Sequence, residues 1–262
     1  MVIVISMKSM RLFLVLSLTI LLEIIVNGQE TVPISQFRLS LGINAYQPLK
    51  INNTGERLIK SKPMPAPAGQ ISFHQEIANN FSVNIGVGLE FDPYCIGYNF
   101  DSPDKFNSGP SDPGMKNFDK IWIHQAMYTV PLGIEKSIRN SVLKSLELGL
   151  KYNYLVAYPY EISSGVSYQA VDGKTYDIFR YQQFETKQNF ITYYIKVGVQ
   201  DINKKKSLKL NAVAQYSPDA IGTGSYKFME LGFESYGTTK QRNNYIGVEL
   251  VYGLTLMKRY VR

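Results

Sequence analysis

Ser72, His74 and Glu76 stand at positions i, i+2 and i+4, where a hydroxyl, an imidazole and a carboxylate cluster. In a relay, those residue types perform acyl transfer: the imidazole takes the hydroxyl proton and the carboxylate orients the imidazole. Spacing argues otherwise. In an extended strand next-but-one residues lie about 6.6 Å apart along the axis, too far for a direct relay. The three are therefore expected to join a hydrogen-bonded network on one strand face, and no catalytic residue is assigned. Asp101, Asp104, Asp112 and Asp119 offer hard oxygen ligands within one stretch, yet they lack the Asp-x-Asp-x-Asp-Gly spacing of a calcium loop and read as solvated charges. The chain has two histidines, His74 and His124, and one cysteine, Cys95. An all-His metal site, a Cys-rich zinc site, an intramolecular disulfide framework and a redox CxxC pair are thereby set aside, and Cys95 reads as a bystander thiol. No metal ligand, cofactor-binding residue or cofactor is expected, and the protein is not expected to be an enzyme.

The elements that must position these residues are strands. Hydrophobic residues make up 45% of the chain and charged ones 19%, with 19 Tyr, 13 Phe and 20 Gly, a balance suited to β-structure and unlike a disordered chain. Residues 1–28 read as a signal peptide: Lys8 and Arg11 precede an apolar run over 12–26, and Val26-Asn27-Gly28 offers a cleavage site that would leave Gln29 first. Met7 directly before the basic residues suggests a second candidate start. Residues 29–262 are expected to form one barrel domain.

Period-two alternation recurs in eight segments: 36–46, 69–77, 81–91, 120–134, 142–156, 187–200, 207–216 and 243–256. The third is the clearest, with Phe81, Val83, Ile85, Val87, Leu89 and Phe91 opposing Ser82, Asn84, Gly86, Gly88 and Glu90. Links 78–80, 135–141 and 201–206 are short, whereas the four others exceed 20 residues, and the two kinds alternate. Long structureless loops are unusual in a compact soluble domain. They are regular in an eight-stranded antiparallel up-and-down transmembrane β-barrel, which has short turns on one side, long loops on the other, and strands of about 9 to 11 residues. Closure also satisfies every backbone donor and acceptor in the bilayer. An even strand count places both termini on one side, expected to be the periplasm. Trp122 and His124 fall near the outer rim, where an aromatic girdle belongs.

Net charge is +7, yet the four long links sum to −2, so the basic excess lies in strands, short turns and tail. No basic stripe interleaved with aromatics marks a nucleic-acid partner. Arg38, Lys151, Lys196 and Lys209 share the polar faces with Glu76, Glu90, Glu147 and Glu249, and in so narrow a lumen they are expected to pair and fill it. On the same reasoning Val87→Arg should be costly at a lipid-facing site, and Gly86→Ser on the other face milder.

The stretch Tyr128-Thr129-Val130-Pro131-Leu132-Gly133-Ile134, and Leu148-Gly149-Leu150-Lys151-Tyr152 followed by Tyr154-Leu155-Val156-Ala157, resemble strands of the small outer-membrane β-barrel proteins labelled "porin family" in Bacteroidetes-type bacteria. Tyr245, Gly247, Leu250 and Tyr252 are similar to the barrel-assembly signal of a last strand, though Met257 to Arg262 follow where a terminal aromatic is usual. The resemblance implies a bacterial outer-membrane location, with outer-membrane lipid and the barrel-assembly machinery as partners. The expected function is a closed or narrow barrel with a structural or loop-mediated binding role toward an unidentified extracellular ligand. Alternatives are a small diffusion pore, an outer-membrane lipid hydrolase and a secreted lipocalin-like carrier with its apolar face turned inward.

Overall fold

The computed structural model describes residues 35–78, 80–98, 119–138, 143–156, 162–169, 173–203, 208–229 and 235–257. The signal segment and Asp101, Asp104 and Asp112 lie outside them. Eight long strands close a ring: β1 (Ser35–Tyr46), β4 (Met64–Ala78), β5 (Phe81–Tyr98), β6 (Asp119–Ser137), β7 (Ser145–Leu155), β10 (Asn189–Asn203), β11 (Leu208–Tyr216) and β14 (Tyr245–Met257). Each pairs antiparallel with its chain neighbour, and β1 pairs with β14 from Ser35↔Met257 to Tyr46↔Tyr245. The ring is therefore the expected up-and-down barrel.

Facing follows the alternation. Along β1 Phe37, Leu39, Leu41 and Ile43 point outward and are exposed, as are Ile85, Val87 and Leu89 of β5, Tyr128, Val130 and Leu132 of β6, and Ile246, Val248, Leu250 and Leu254 of β14. So much apolar area facing out would be an error in water; it forms the lipid-facing belt of a transmembrane barrel. The opposite residues, Ser40, Asn44, Ser72, Asn84, Glu90, Thr129, Glu135, Glu147, Lys151, Lys196 and Asn211, are buried in the lumen. A lipocalin-like carrier would show the reverse, so that reading is corrected here.

The long links are not loops alone. They carry β2 (Lys50–Gly55) and β3 (Ile59–Lys62), then β8 (Ile162–Gln169) and β9 (Thr175–Thr186), then β12 (Gly222–Phe228) and β13 (Ser235–Gln241), while β5 and β6 run on as a long hairpin paired to Tyr98↔Asp119. The second sheet has the order β2-β13-β12-β9-β8, and β3 pairs with the far end of β5. This repeats the order β1-β14-β11-β10-β7 below it, so each upper strand continues the barrel strand beneath after a short break. The breaks hold Pro48, Pro63 and Pro218, whose missing N–H interrupts a ladder. They form a waist that divides a membrane storey from an upper storey.

Inward chemistry inverts at the waist. In β5 the inward series runs Ser82, Asn84, Gly86, Gly88, Glu90 and Asp92, then becomes Tyr94 and Ile96. Those two join Leu49, Ile59, Ile178, Phe179, Tyr181, Tyr226 and Phe228 in an apolar core between the second sheet and the upper part of β5 with β3. Beneath it, Met127, Leu155, Phe190 and Ile221 form a second apolar cluster at the waist. Lipid surrounds the lower wall and excludes polar groups from its outside. Water surrounds the upper wall, which must hide its apolar groups inside.

Candidate functional site

The lumen holds the chemistry of the membrane storey, and neighbouring inward positions on different strands assemble it. Glu135, near the short-turn end of β6, is its hub: Arg38 Nη1 donates to Oε2, Lys209 Nζ reaches Oε1 at 2.6 Å, and His74 Nε2 lies 3.3 Å from Oε2. His74 sits within ion-pair distance but outside hydrogen-bond geometry, since neither ring nitrogen has a bonded partner. Lys209 also donates to Ser145 Oγ at 2.5 Å. One level up, Glu147 accepts from Asn84 at 3.0 Å and from the Tyr194 hydroxyl at 2.7 Å. Above that Lys196 pairs with Glu249 at 3.1 Å and Asn211 donates to the same carboxylate at 2.7 Å. At the top Lys151 pairs with Glu90 at 2.5 Å and donates to Tyr245 at 2.8 Å, its ammonium 5.3 Å from that ring's centroid. Burial of Glu135, Glu249 and Glu90 is thus met by opposite charges and further hydrogen bonds, the condition under which ions persist away from water, whereas Glu147, also expected to pair, is met by neutral donors alone.

Glycines make this filling possible. Gly133, Gly149 and Tyr194 are consecutive cross-strand partners. The Tyr194 side chain lies across both glycines to reach Glu147, and a Cβ at either position would collide with it. Among the described residues the lumen holds a cavity of about 20 Å³ lined by Ser40, Gln70, Glu90, Lys151, Lys196 and Glu249, room for about one water.

Sequence expectations meet this geometry unevenly. The expected pairing of Lys151, Lys196, Glu90 and Glu249 is present, and Ser72 and His74 do face the lumen. Glu76 is half-buried and forms no ion pair among the described residues, so its place among the paired charges is corrected. Glu135, read as a turn residue, is instead the best-connected carboxylate, because β6 continues to Ser137. Its odd number continues the inward series Thr129, Pro131, Gly133, a parity that could have found it. Cys95 is 2% exposed within β5, not a loop thiol. The side chains of Trp122, His124 and Asp119 lie outside the described residues, although the backbone of β6 pairs Trp122 with Cys95 and His124 with Pro93. Ser72, His74 and Glu76 make no relay: the nearest carboxylate to His74 is Glu135, two strands away.

Asp92 follows Glu90 on the inward face of β5 and is buried. Asn243 donates to it at 3.0 Å, and Tyr94 above donates to Gln183 across the upper interior.

No protein-family model and no curated protein sequence matches this chain. Among solved structures it is similar to the outer membrane protein OprG from Pseudomonas aeruginosa, at 12% identity over 88% of this chain and 99% of that one, with a TM-score of 0.42. A major outer membrane protein from Thermus thermophilus follows at 12% identity, 84% and 99% coverage and a TM-score of 0.34. The Pseudomonas putida toluene transporter TodX stands at 10% identity, 84% and 89% coverage and a TM-score of 0.26. The ring closure and strand register, rather than these scores, carry the assignment of this chain as a transmembrane barrel.

Proposed function

We propose that this protein is a sealed bacterial outer-membrane barrel that acts through its walls and upper storey rather than as a conduit, with its long links outside and both termini in the periplasm. The filled lumen carries the reading: among the described residues a cavity of about 20 Å³ lies among paired charges, with Met127, Leu155, Phe190 and Ile221 packed together at the waist, as in a barrel filled by its own side chains. The apolar belt and the basic pair before an apolar N-terminal run support export and insertion. The likeness of residues 128–134 and 148–152 to Bacteroidetes-type "porin family" strands agrees with it. A lipid-hydrolase role finds no support, because Ser72 is buried in the lumen and lipid lies outside the wall.

Single-channel recording tests the proposal. The purified barrel, shown to be folded by faster migration unboiled than boiled, is expected to give no steady conductance in planar bilayers. A uniform open-channel step would replace this reading with the diffusion pore. Recovery of the protein in the soluble periplasmic fraction would remove the location.

A further inference from the structure

Two lysines face each other on the outer wall, and neither forms an ion pair among the described residues. Lys50, first residue of β2, and Lys240, near the end of β13, are direct cross-strand partners, both exposed on the outward face just above the waist. Like charges directly opposite destabilise a sheet. The neighbouring basic partners Lys227 and Arg180 are relieved, because Arg180 pairs with Asp177 at 3.2 Å. No carboxylate among the described residues forms an ion pair with Lys50, Lys240 or Arg242, and Arg242 lies in the same break between β13 and β14. The surrounding long links are net acidic or neutral apart from this first one, so the arrangement is local, not a general basic coat.

Directly beneath lies a groove of about 390 Å³ on the same outer wall, lined by Ala45, Pro63, Ala214, Tyr216 and Ile246, with Gln47 and Asn244 at its upper end. Small side chains at Ala45 and Ala214 recess the wall, while Tyr216 and Ile246 stand exposed beside them. Ala45, Ala214 and Ile246 align across three strands. Above them Asn244 Nδ2 donates to Gln47 Oε1 at 2.7 Å, a polar step at the level where the belt ends. From bottom to top the wall therefore presents an apolar recess, an amide pair and a facing cationic pair. Five steps along the chain, through the break at 47–49, take Ala45 to Lys50, at most about 17 Å.

That order matches one amphiphile: hydrocarbon, then ester or amide linkage, then phosphate. We propose that this wall is a binding site for one phosphorylated lipid of the outer leaflet, its acyl chain in the recess beside Ala45 and Ala214 and its phosphate between Lys50 and Lys240. The site rests on the membrane reading above. Belt continuity brings hydrocarbon to the recess, and the phosphate supplies the charge that the facing lysines lack.

Native mass spectrometry of the full-length mature barrel in detergent micelles decides it. The probes are bis-phosphorylated lipid A, the same lipid A with both phosphates removed, and inorganic phosphate alone. The parent is expected to retain one phosphorylated lipid, at least tenfold more than the dephosphorylated form, and not to lose it to millimolar inorganic phosphate. Lys50→Gln with Lys240→Gln should abolish that preference, Lys50→Arg with Lys240→Arg should keep it, and Ala214→Phe should reduce retention by filling the recess. Each variant is first shown to keep the heat-modifiable band. Equal retention of the two lipids by the parent, unchanged preference in the double Gln variant, or displacement by inorganic phosphate would overturn the site. Absence of the band in the parent itself would overturn the barrel reading beneath it, a failure separate from that of the lipid preference.

Discussion

At the scale of single residues, Glu135 and Asp92 show two ways a barrel interior handles a carboxylate. Glu135 answers to Arg38 and Lys209 together, so Glu135→Ala leaves two cations facing each other in the lumen. Removing one partner of a buried ion pair costs about 3 to 5 kcal/mol. Urea unfolding in lipid vesicles should place the variant in that range below the parent, and Glu135→Ala with Lys209→Met should recover part of the loss. Asp92 instead accepts from the Asn243 amide at 3.0 Å and forms no ion pair among the described residues, so Asp92→Asn, which keeps an acceptor for Asn243 without the charge, should leave the urea midpoint at or above the parent's; a loss as large as that of Glu135→Ala would refute the contrast. These roles were only half legible in sequence. Alternation puts a residue on the lumen face, but which charge meets which depends on strand tilt and register, and the hub Glu135 lies where the alternation of the sequence gives way to polar, turn-like residues.

At the scale of elements, the eight barrel strands were legible because lipid on one side and polar filling on the other force a strong contrast between alternate residues. The six upper strands were not. Gly222-Thr223-Gly224-Ser225 of β12, Gly237-Thr238-Thr239 of β13 and Asn52-Asn53-Thr54 of β2 carry small or polar residues on both faces, since water lies outside and glycine contacts fill the inside. A weak contrast looks like a loop. The aromatic residues that do hold this storey are few and close: the Phe179 and Phe228 rings stand 4.8 Å apart, both nearly inaccessible. Phe228→Ala should cost about 3 to 5 kcal/mol of that local core. The barrel ladder beneath the waist does not use this ring, so the loss should appear as faster proteolysis of the upper strands with the heat-modifiable band retained. Disappearance of the band together with the upper storey would show that the two storeys fold as one unit.

At the scale of the whole molecule, a barrel in a membrane has two solvents that penalise different errors. Outside, the lipid is fluid and tolerates volume but not charge. Val87 is 62% exposed on the belt, so Val87→Arg should cost about 2 to 4 kcal/mol near the bilayer midplane, whereas Val87→Leu should be close to neutral. Inside, charge is already paired and space is exhausted. A Cβ at Gly86 would lie 2.6 Å from the Ile71 carbonyl oxygen and 2.8 Å from the Ser72 Cβ, so Gly86→Ser, though expected to be milder than Val87→Arg, carries a cost of its own. Overpacking of this kind costs about 1 to 3 kcal/mol, although serine is small and polar and the face is a polar one. Neighbouring residues on one strand should therefore fail for opposite reasons, one to charge and not size, the other to size and not polarity. The measurement is folded fraction after refolding into vesicles for Val87→Arg, Val87→Leu, Gly86→Ala and Gly86→Ser. Tolerance of Gly86→Ala alongside loss with Val87→Leu would mean that the wall is turned the other way, and the belt, the sealed lumen and the lipid site would fall together.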